Sequence, residues 1–411
     1  TSGCQMNKSD SEMLAGQFDS LGITPNESYA DSDIIVLNTC VVRQSAENNA
    51  ISLLEKIKLL KMKNQEKILV VMGCMVGPNS TKLSEDFPYV DVWARPQDFN
   101  PIINLVSDRF NINLDGCLSN VTKKPGVTKF ISVTHGCDKF CTFCIIPYRR
   151  GREISRTIDE IIFEIETLAN NGTLEVTLLG QTVDAYGHDL ASSTDLSELL
   201  QAVNRIDKLE RIRFLTSHPI YMSNKIIDSI ANLSKVCEHI LLPFQAGADS
   251  VLKNMRRGYT KQEYINLVKK IRSQVPNVSM STDVIVGFPG ETQADFESTL
   301  DILEQIKFDK VHMAAYSPRP GTIAHRTMND DVDLVEKRKR LKSVEQLQEK
   351  ISKEINASLI GQYFDILVEG KNRNRWFGRT RTNKLVYFDS EDDMSGNVVN
   401  AHISVSYTHL R

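Results

Sequence analysis

Three cysteines, Cys137, Cys141 and Cys144, fall at C-x3-C-x2-C spacing in His135-Gly136-Cys137-Asp138-Lys139-Phe140-Cys141-Thr142-Phe143-Cys144. Thiolates this close on one loop can converge on a soft metal centre, and sulfur ligands select zinc, copper or an iron-sulfur cluster over magnesium or calcium. No fourth cysteine lies beside them. A 4Fe-4S cluster on three thiolates leaves one iron open to an outside ligand, which suits chemistry more than electron storage. The competing reading is a structural zinc closed by His135. Such sites usually pair two separated ligand couples, and no second couple is evident here.

A second trio is spread over the first part of the chain. Cys4 lies in Gly3-Cys4-Gln5-Met6-Asn7, Cys40 ends Leu37-Asn38-Thr39-Cys40, and Cys74 ends Met72-Gly73-Cys74. The branched apolar runs Ile34 to Leu37 and Ile68 to Met72 read as strands, and Ser9 to Leu21 and Gln44 to Met62 read as helices. This alternation predicts a parallel α/β domain over residues 1–125, with all three cysteines at the carboxyl ends of neighbouring strands, where open α/β sheets hold ligands. A second three-thiolate cluster is expected there. Buried structural cysteine is the alternative. Cys117, in a loop-like Asp115-Gly116-Cys117, and Cys237 have no comparable partners and are read as non-ligands.

Residues 126–355 repeat strand then helix six times. The strands are Phe130 to Thr134, Glu175 to Leu179, Ile212 to Thr216, His239 to Leu242, Ser279 to Val286 and Lys310 to Ala315. The helices between them are Ile158 to Asn170, Asp195 to Ile206, Asn224 to Ala231, Lys261 to Gln274 and Gln293 to Ile306. The pattern predicts a partial (β/α)6 barrel whose site lies at the carboxyl ends of its strands. The loops expected on that rim carry Gly180 and Gln181, Ser217, Gln245, and Gly287-Phe288-Pro289-Gly290. Glycine lets backbone approach a ligand, and an amide can take an amino group. Asp283 and Arg257 are further polar candidates on this rim, a structural salt bridge being the alternative for either.

Asp331 to Ile355 reads as a charged amphipathic connector packed on the barrel. Residues 356–411 then read as short strands, Tyr363 to Val368, Leu385 to Asp389 and Val398 to Val405, forming a small antiparallel barrel. Lys371, Arg373, Arg375, Arg379, Arg381 and Lys384 occur in one run with Trp376 and Phe377 and without an acidic residue. Positive charge takes phosphates, and interleaved aromatic rings stack on splayed bases, so RNA is the expected partner. A solvated hairpin face is the alternative. Ser406 to Arg411 breaks the strand pattern and reads as foreign to the natural chain.

The net charge of -3 does not itself decide for or against nucleic acid. No apolar run approaches a membrane span, and no signal peptide is seen. Cysteines in metal-ligand spacing, without a secretory context, argue for a reducing cytoplasm. The chain opens at Thr1 without methionine, and a first strand is expected to be clipped.

The C-x3-C-x2-C spacing matches the radical S-adenosylmethionine (SAM) motif. With GCQMNKSDSE, LNTC, VMGC, GCDKFCTFCIIPYRRGREISR, LLGQ, STDVIVGFPGET and GRTRTNKLVYF, the chain resembles the radical-SAM methylthiotransferases along nearly its whole length, most closely their MiaB branch. The resemblance implies three domains: an amino-terminal methylthiotransferase domain, a radical-SAM barrel and a carboxyl-terminal TRAM domain. It implies a SAM-cleaving 4Fe-4S cluster on Cys137, Cys141 and Cys144, and an auxiliary 4Fe-4S cluster on Cys4, Cys40 and Cys74 that carries the sulfur. With SAM as the ligand, the rim residues Gly180, Gln181, Ser217, Gln245, Arg257 and Asp283, together with Phe143, are the candidate contacts. The implied reaction places a methylthio group on carbon 2 of N6-isopentenyladenosine beside the tRNA anticodon. Two relatives share the layout, a RimO-like branch that modifies a ribosomal-protein aspartate and enzymes acting on threonylcarbamoyladenosine. The implied partners are the tRNA anticodon stem-loop, an electron-donor protein and a sulfur donor, for a monomeric cytoplasmic enzyme.

Overall fold

The computed structural model describes residues 1–41, 44–114, 125–191 and 194–406. Cys117 and residues 407–411 lie outside the described residues.

The first body is a three-stranded parallel sheet of β1 (Ile34–Thr39), β2 (Ile68–Gly73) and β3 (Val92–Ala94), in that order. Every residue of β2 is buried, as expected of a central parallel strand covered on both faces. Helices Gln5–Ser20 and Asn100–Phe110 contribute Leu14, Ile102, Ile103 and Val106 to one core, while Gln44–Lys63 contributes Leu54 and Ile57 to the other. Cys40 and Cys74 follow the last residues of β1 and β2, as the strand pattern predicts. Cys4 does not end a strand. It precedes the helix Gln5–Ser20 and reaches the same edge because the Ser2 N–H donates to the Asn38 carbonyl at 2.9 Å.

The barrel comprises β4 (Thr128–Ser132), β7 (Glu175–Leu179), β8 (Arg211–Phe214), β9 (His239–Leu241), β10 (Ser279–Val286) and β11 (Lys310–Ala315). The sheets β4-β7-β8 and β9-β10-β11 are joined by the parallel bridge of Ile212 to Val236, giving the six-stranded partial barrel. Two short antiparallel strands, β5 (Thr134–His135) and β6 (Ile154–Ser155), form a clasp after β4. Three barrel helices begin with reciprocal capping boxes, Thr157 with Glu160, Thr260 with Glu263 and Thr292 with Asp295, which satisfy orphan N–H groups and fix where each helix starts. The helix Leu334–Ala357 packs on the barrel, as its amphipathic pattern predicts, and Arg340 Nη1 donates to Glu291 Oε2 at 2.7 Å in a buried pair that fixes the loop after β10.

The last body is a curled half-barrel of four antiparallel strands, β12 (Tyr363–Asn372), β13 (Arg375–Arg379), β14 (Leu385–Phe388) and β15 (Val398–His402), in the order β14-β13-β12-β15. Strand β13 lies inside the basic run. Arg373 and Asn374, both at positive φ, make the turn between β12 and β13.

Candidate active site

The loop between β5 and β6 carries Cys137, Cys141 and Cys144, and its path is set by close contacts. Gly136 has φ +72°, and a Cβ there would stand 1.9 Å from the Arg152 carbonyl oxygen, so only glycine closes the clasp. The Cys137 N–H donates to the Gly151 carbonyl at 3.1 Å. Thr142 holds the far side of the loop: its Oγ1 donates to the Asn254 carbonyl at 2.8 Å, and its own carbonyl accepts from the Ala324 N–H at 2.8 Å. The thiols are met by neighbouring loops. Cys137 Sγ is 3.5 Å from Thr182 Oγ1, and Arg257 Nη1 donates to Cys141 Sγ at 3.3 Å. Burial pushes the Cys144 thiol up to about 12 and raises that of Cys137, so a metal centre bound there would have to displace the protons of both.

The amino-terminal trio is equally specific. A Cβ on Gly3 would stand 2.6 Å from Cys40 Cβ, and one on Gly73 would stand 2.5 Å from the Thr39 carbonyl oxygen, so the backbone passes these thiols only as glycine. Burial pushes the Cys74 thiol up to about 11, with Arg150 pulling the other way and Cys4 and Cys40 adding to the rise. The three thiols therefore share one electrostatic site.

The two trios are joined by the short helix Ile146–Arg150, which leaves the cysteine loop and enters the first body. Val41, Cys74 and Met75 pack in one buried cluster with Cys137, Ile145 and Ile146, and Cys144 lies against it. Arg150 Nη2 donates to Asn7 Oδ1 and to Asp10 Oδ2, each at 2.9 Å. Arg149 Nη1 occupies the space that a side chain at Gly77 would need. Among the described residues no three Cys, His, Asp or Glu side chains converge as ligands of a single ion. A 4Fe-4S core binds each thiolate on a different iron, so thiols that do not meet on a single ion still fit that group.

Above the loop, Ser217 Oγ, Gln245 Oε1 and His218 Nε2 are buried without hydrogen-bond partners on the same rim. Gln245 stands at φ +71°, its N–H on the Asp283 carbonyl at 3.0 Å and its carbonyl on the Ile285 N–H at 2.9 Å. Gly180 leaves room for Thr134 Oγ1, with Gln181 half-buried after it. Phe143 packs edge-on to Phe288. Asp283 is half-buried in β10, in register with His312. Arg257 is committed elsewhere: besides Cys141 it donates to the Pro243 carbonyl and the Tyr259 hydroxyl, which makes it a brace for the cysteine loop. Unassigned by the sequence reading were Arg150, Arg319, Thr182, and Asp184, whose carboxylate accepts the His218 N–H at 2.8 and 2.9 Å. The basic pair Arg149-Arg150, one residue past the apolar Ile145-Ile146-Pro147, was the one available sign.

The basic run divides in two. Lys371, Arg373 and Arg375 are exposed, Lys371 lying over the Trp376 ring and Arg375 pairing with Asp389. Trp376 itself is buried and donates its indole N–H to the Ser390 carbonyl, so the strand alternation turns this ring inward, away from any stacking base. Arg379 pairs with Glu369 at 3.1 Å. Arg381 grips Glu238 with two nitrogens and also donates to the carbonyls of Ser234 and Val236. In return Arg211 donates to the carbonyls of Arg379 and Asp365, and Arg213 to those of Arg381 and Thr380. Arg211 opens β8 and Glu238 precedes β9, so the last body docks on the amino-terminal ends of the barrel strands, opposite the thiols. Cys237 belongs to this docking face, beside Arg213, rather than to either trio.

Residues 131–303 match the family model of the radical SAM superfamily, and residues 1–95 match that of the uncharacterized protein family UPF0004. A tRNA-2-methylthio-N(6)-dimethylallyladenosine synthase of Dehalococcoides mccartyi is 43% identical over 403 residues, 98% of this chain and 94% of the relative. One of the same name from Herpetosiphon aurantiacus is 44% identical over 410 residues, 98% and 93% of the two chains. The fold is shared with the radical S-adenosylmethionine methyltransferase TsrM from Kitasatospora setae, at TM-score 0.57 and 14% identity, over 77% of this chain and 73% of that one. It is also shared with the cobalamin-dependent radical enzyme OxsB, at TM-score 0.52 and 12% identity, over 83% and 53%. With paired thiol trios, a six-stranded partial barrel and relatives this similar over almost all of its length, the chain belongs to the radical SAM superfamily and, within it, to the family of the tRNA-2-methylthio-N(6)-dimethylallyladenosine synthases.

Proposed function

We propose that the protein transfers a methylthio group to carbon 2 of N6-isopentenyladenosine in tRNA, with Cys137, Cys141 and Cys144 holding one 4Fe-4S cluster and Cys4, Cys40 and Cys74 the other. The observation that carries this reading is the single buried cluster in which Cys74 of the first body packs with Cys137 of the barrel loop. When bound, the barrel cluster supplies an electron for reductive cleavage of SAM, and the amino-terminal cluster holds the sulfur to be transferred.

The chain's own residues orient and seclude. Arg257 and Thr182 hold the Cys141 and Cys137 side chains in the loop. Ser217 Oγ and Gln245 Oε1, buried and unpaired on the rim, are the groups that take the polar ends of SAM, with Gly180, Gln181, Phe143 and Asp283 completing its seat. The exposed Lys371, Arg373 and Arg375 supply the phosphate contacts of the carboxyl-terminal body. The target base leaves its stack to reach the thiols, at a cost of a few kcal/mol. An electron-donor protein and a sulfur donor complete the system in a cytoplasmic monomer.

Anaerobic reconstitution with iron and sulfide, then SAM, reductant and isopentenylated tRNA, tests the reading. The methylthiolated nucleoside is the expected product. SAM turnover with no change in the nucleosides, together with a mass gain on a ribosomal-protein peptide, would instead assign the chain to protein modification.

A further inference from the structure

Arg150 belongs to the barrel by sequence but sits in the first body. One nitrogen, Nη2, is held by Asn7 and Asp10, while Nε and Nη1 are buried without a nitrogen or oxygen partner, and the guanidinium acts on the Cys74 thiol by charge and by hydrogen bonding. Burial disfavours its charge, and the groups that offset this include Cys74 and Cys4 beside Asp10. A second barrel arginine approaches from elsewhere: Arg319, in the segment after β11, is buried, lies 3.6 Å from Glu47 and feels the Cys40 thiol. The amino-terminal trio therefore meets guanidinium groups from two separate barrel segments.

Each guanidinium has one carboxylate partner, Asp10 or Glu47, and also lies near thiols that become negative once they ligate a metal. A 4Fe-4S core on three thiolates carries net negative charge, and a sulfur anion on its open iron adds more. Burying such charge without counter-charge and donors is strongly disfavoured. Arginine keeps its charge in this setting and offers donors in a fixed fork. We infer that Arg150 is a positioning residue for the sulfur-carrying centre, its Nε and Nη1 donors directed at a sulfur anion there, with Arg319 as the second counter-charge. The site is then complete only when barrel and first body are docked. This rests on the reading of Cys4, Cys40 and Cys74 as a cluster site.

The test uses the full chain carrying Cys137→Ala, Cys141→Ala and Cys144→Ala, so that iron can reside on the amino-terminal trio alone. Readouts are iron content, the midpoint potential and the EPR spectrum during titration with methanethiolate. Because charge and hydrogen bonds to sulfur set cluster potentials, Arg150→Leu should lower the potential and weaken methanethiolate binding about tenfold, the loss of one charge-assisted bond. Arg150→Lys should restore the potential. Asp10→Asn breaks the same ion pair but leaves the guanidinium, so it should not lower the potential; an equal drop there would reduce Arg150 to a structural tie and overturn the inference. An unchanged potential and affinity in Arg150→Leu would overturn it too. If Arg150→Leu does not fold, Arg319→Gln decides, by a lowered potential in favour or an unchanged one against. If the parent variant retains no iron, the cluster reading itself fails and this inference with it.

Discussion

Asp10 and Arg150 meet at 2.9 Å with both side chains almost closed to water, 140 residues apart in the chain. Their pair is the tie between the first body and the barrel loop. Removing one partner strands the other charge, at about 3–5 kcal/mol. Asp10→Ala should therefore lower the urea midpoint of the apo protein by that equivalent and expose the junction near residues 146–150 to limited proteolysis. An unchanged midpoint would show that the pair carries no docking energy.

Substitutions at Cys141 and Cys40 test the two proposed cluster sites separately. Cys141→Ala should abolish 5'-deoxyadenosine formation from SAM. Cys40→Ala should leave that formation intact and stop methylthiolation. Product from an iron-replete Cys40→Ala protein would remove the amino-terminal trio from the reaction.

Gly136 and Gly172 make a matched comparison. Both have positive φ, but an alanine at 136 meets the Arg152 carbonyl at 1.9 Å, whereas one at 172 meets nothing within 4 Å. Gly172→Ala should cost about 1 kcal/mol of conformational strain and leave iron content unchanged. Gly136→Ala should open the β5-β6 clasp and lower iron uptake by the Cys137 trio, measured as iron per chain after reconstitution.

Arg381 and Arg373 should behave differently although they stand in one basic run. Arg381→Ala removes the grip on Glu238 and should free the carboxyl-terminal body, read as faster hydrogen exchange across β12–β15. Arg373→Ala should leave exchange untouched while reducing the salt slope of tRNA binding by about one.

His239 sets an acid limit. Burial first, then Arg213, Arg379 and Lys384, lower its pKa from 6.5 to about 3. The unfolded chain takes up a proton below pH 6.5 and the native one does not until about 3, so stability is full above 6.5 and falls as pH drops through that window. The slope from this residue is up to about 1.4 kcal/mol per pH unit. Urea melts at pH 7.5, 6 and 5 should show it, and His239→Gln should reduce the slope without abolishing it, because burial also keeps His218 neutral, with its pKa lowered to about 2.

Much of this was legible because it is local. The helices Ile158–Asn170, Lys261–Gln274 and Gln293–Ile306 fall where apolar period and capping residues place them, and Cys40 and Cys74 sit where their strands end. What escaped depends on partners distant in sequence. Arg150 gives no periodic signal that its counter-charge is Asp10. The charges of Arg211 and Arg213 in β8 look unlike a buried strand until the carbonyls of residues 365–381 are seen to receive them. Strand β13 was hidden for the converse reason, since a strand with alternating exposed arginine and buried Trp376 reads, residue by residue, as a solvated basic run.

The docking of β12–β15 beneath the barrel makes length a part of recognition. Parallel strands of three to eight residues separate that face from the thiols, roughly 10 to 25 Å of protein at the usual rise per residue. Any molecule gripped by Arg373 and reacting beside Cys137 has to run along the barrel's flank. A folded polynucleotide has that reach, and an isolated nucleoside does not.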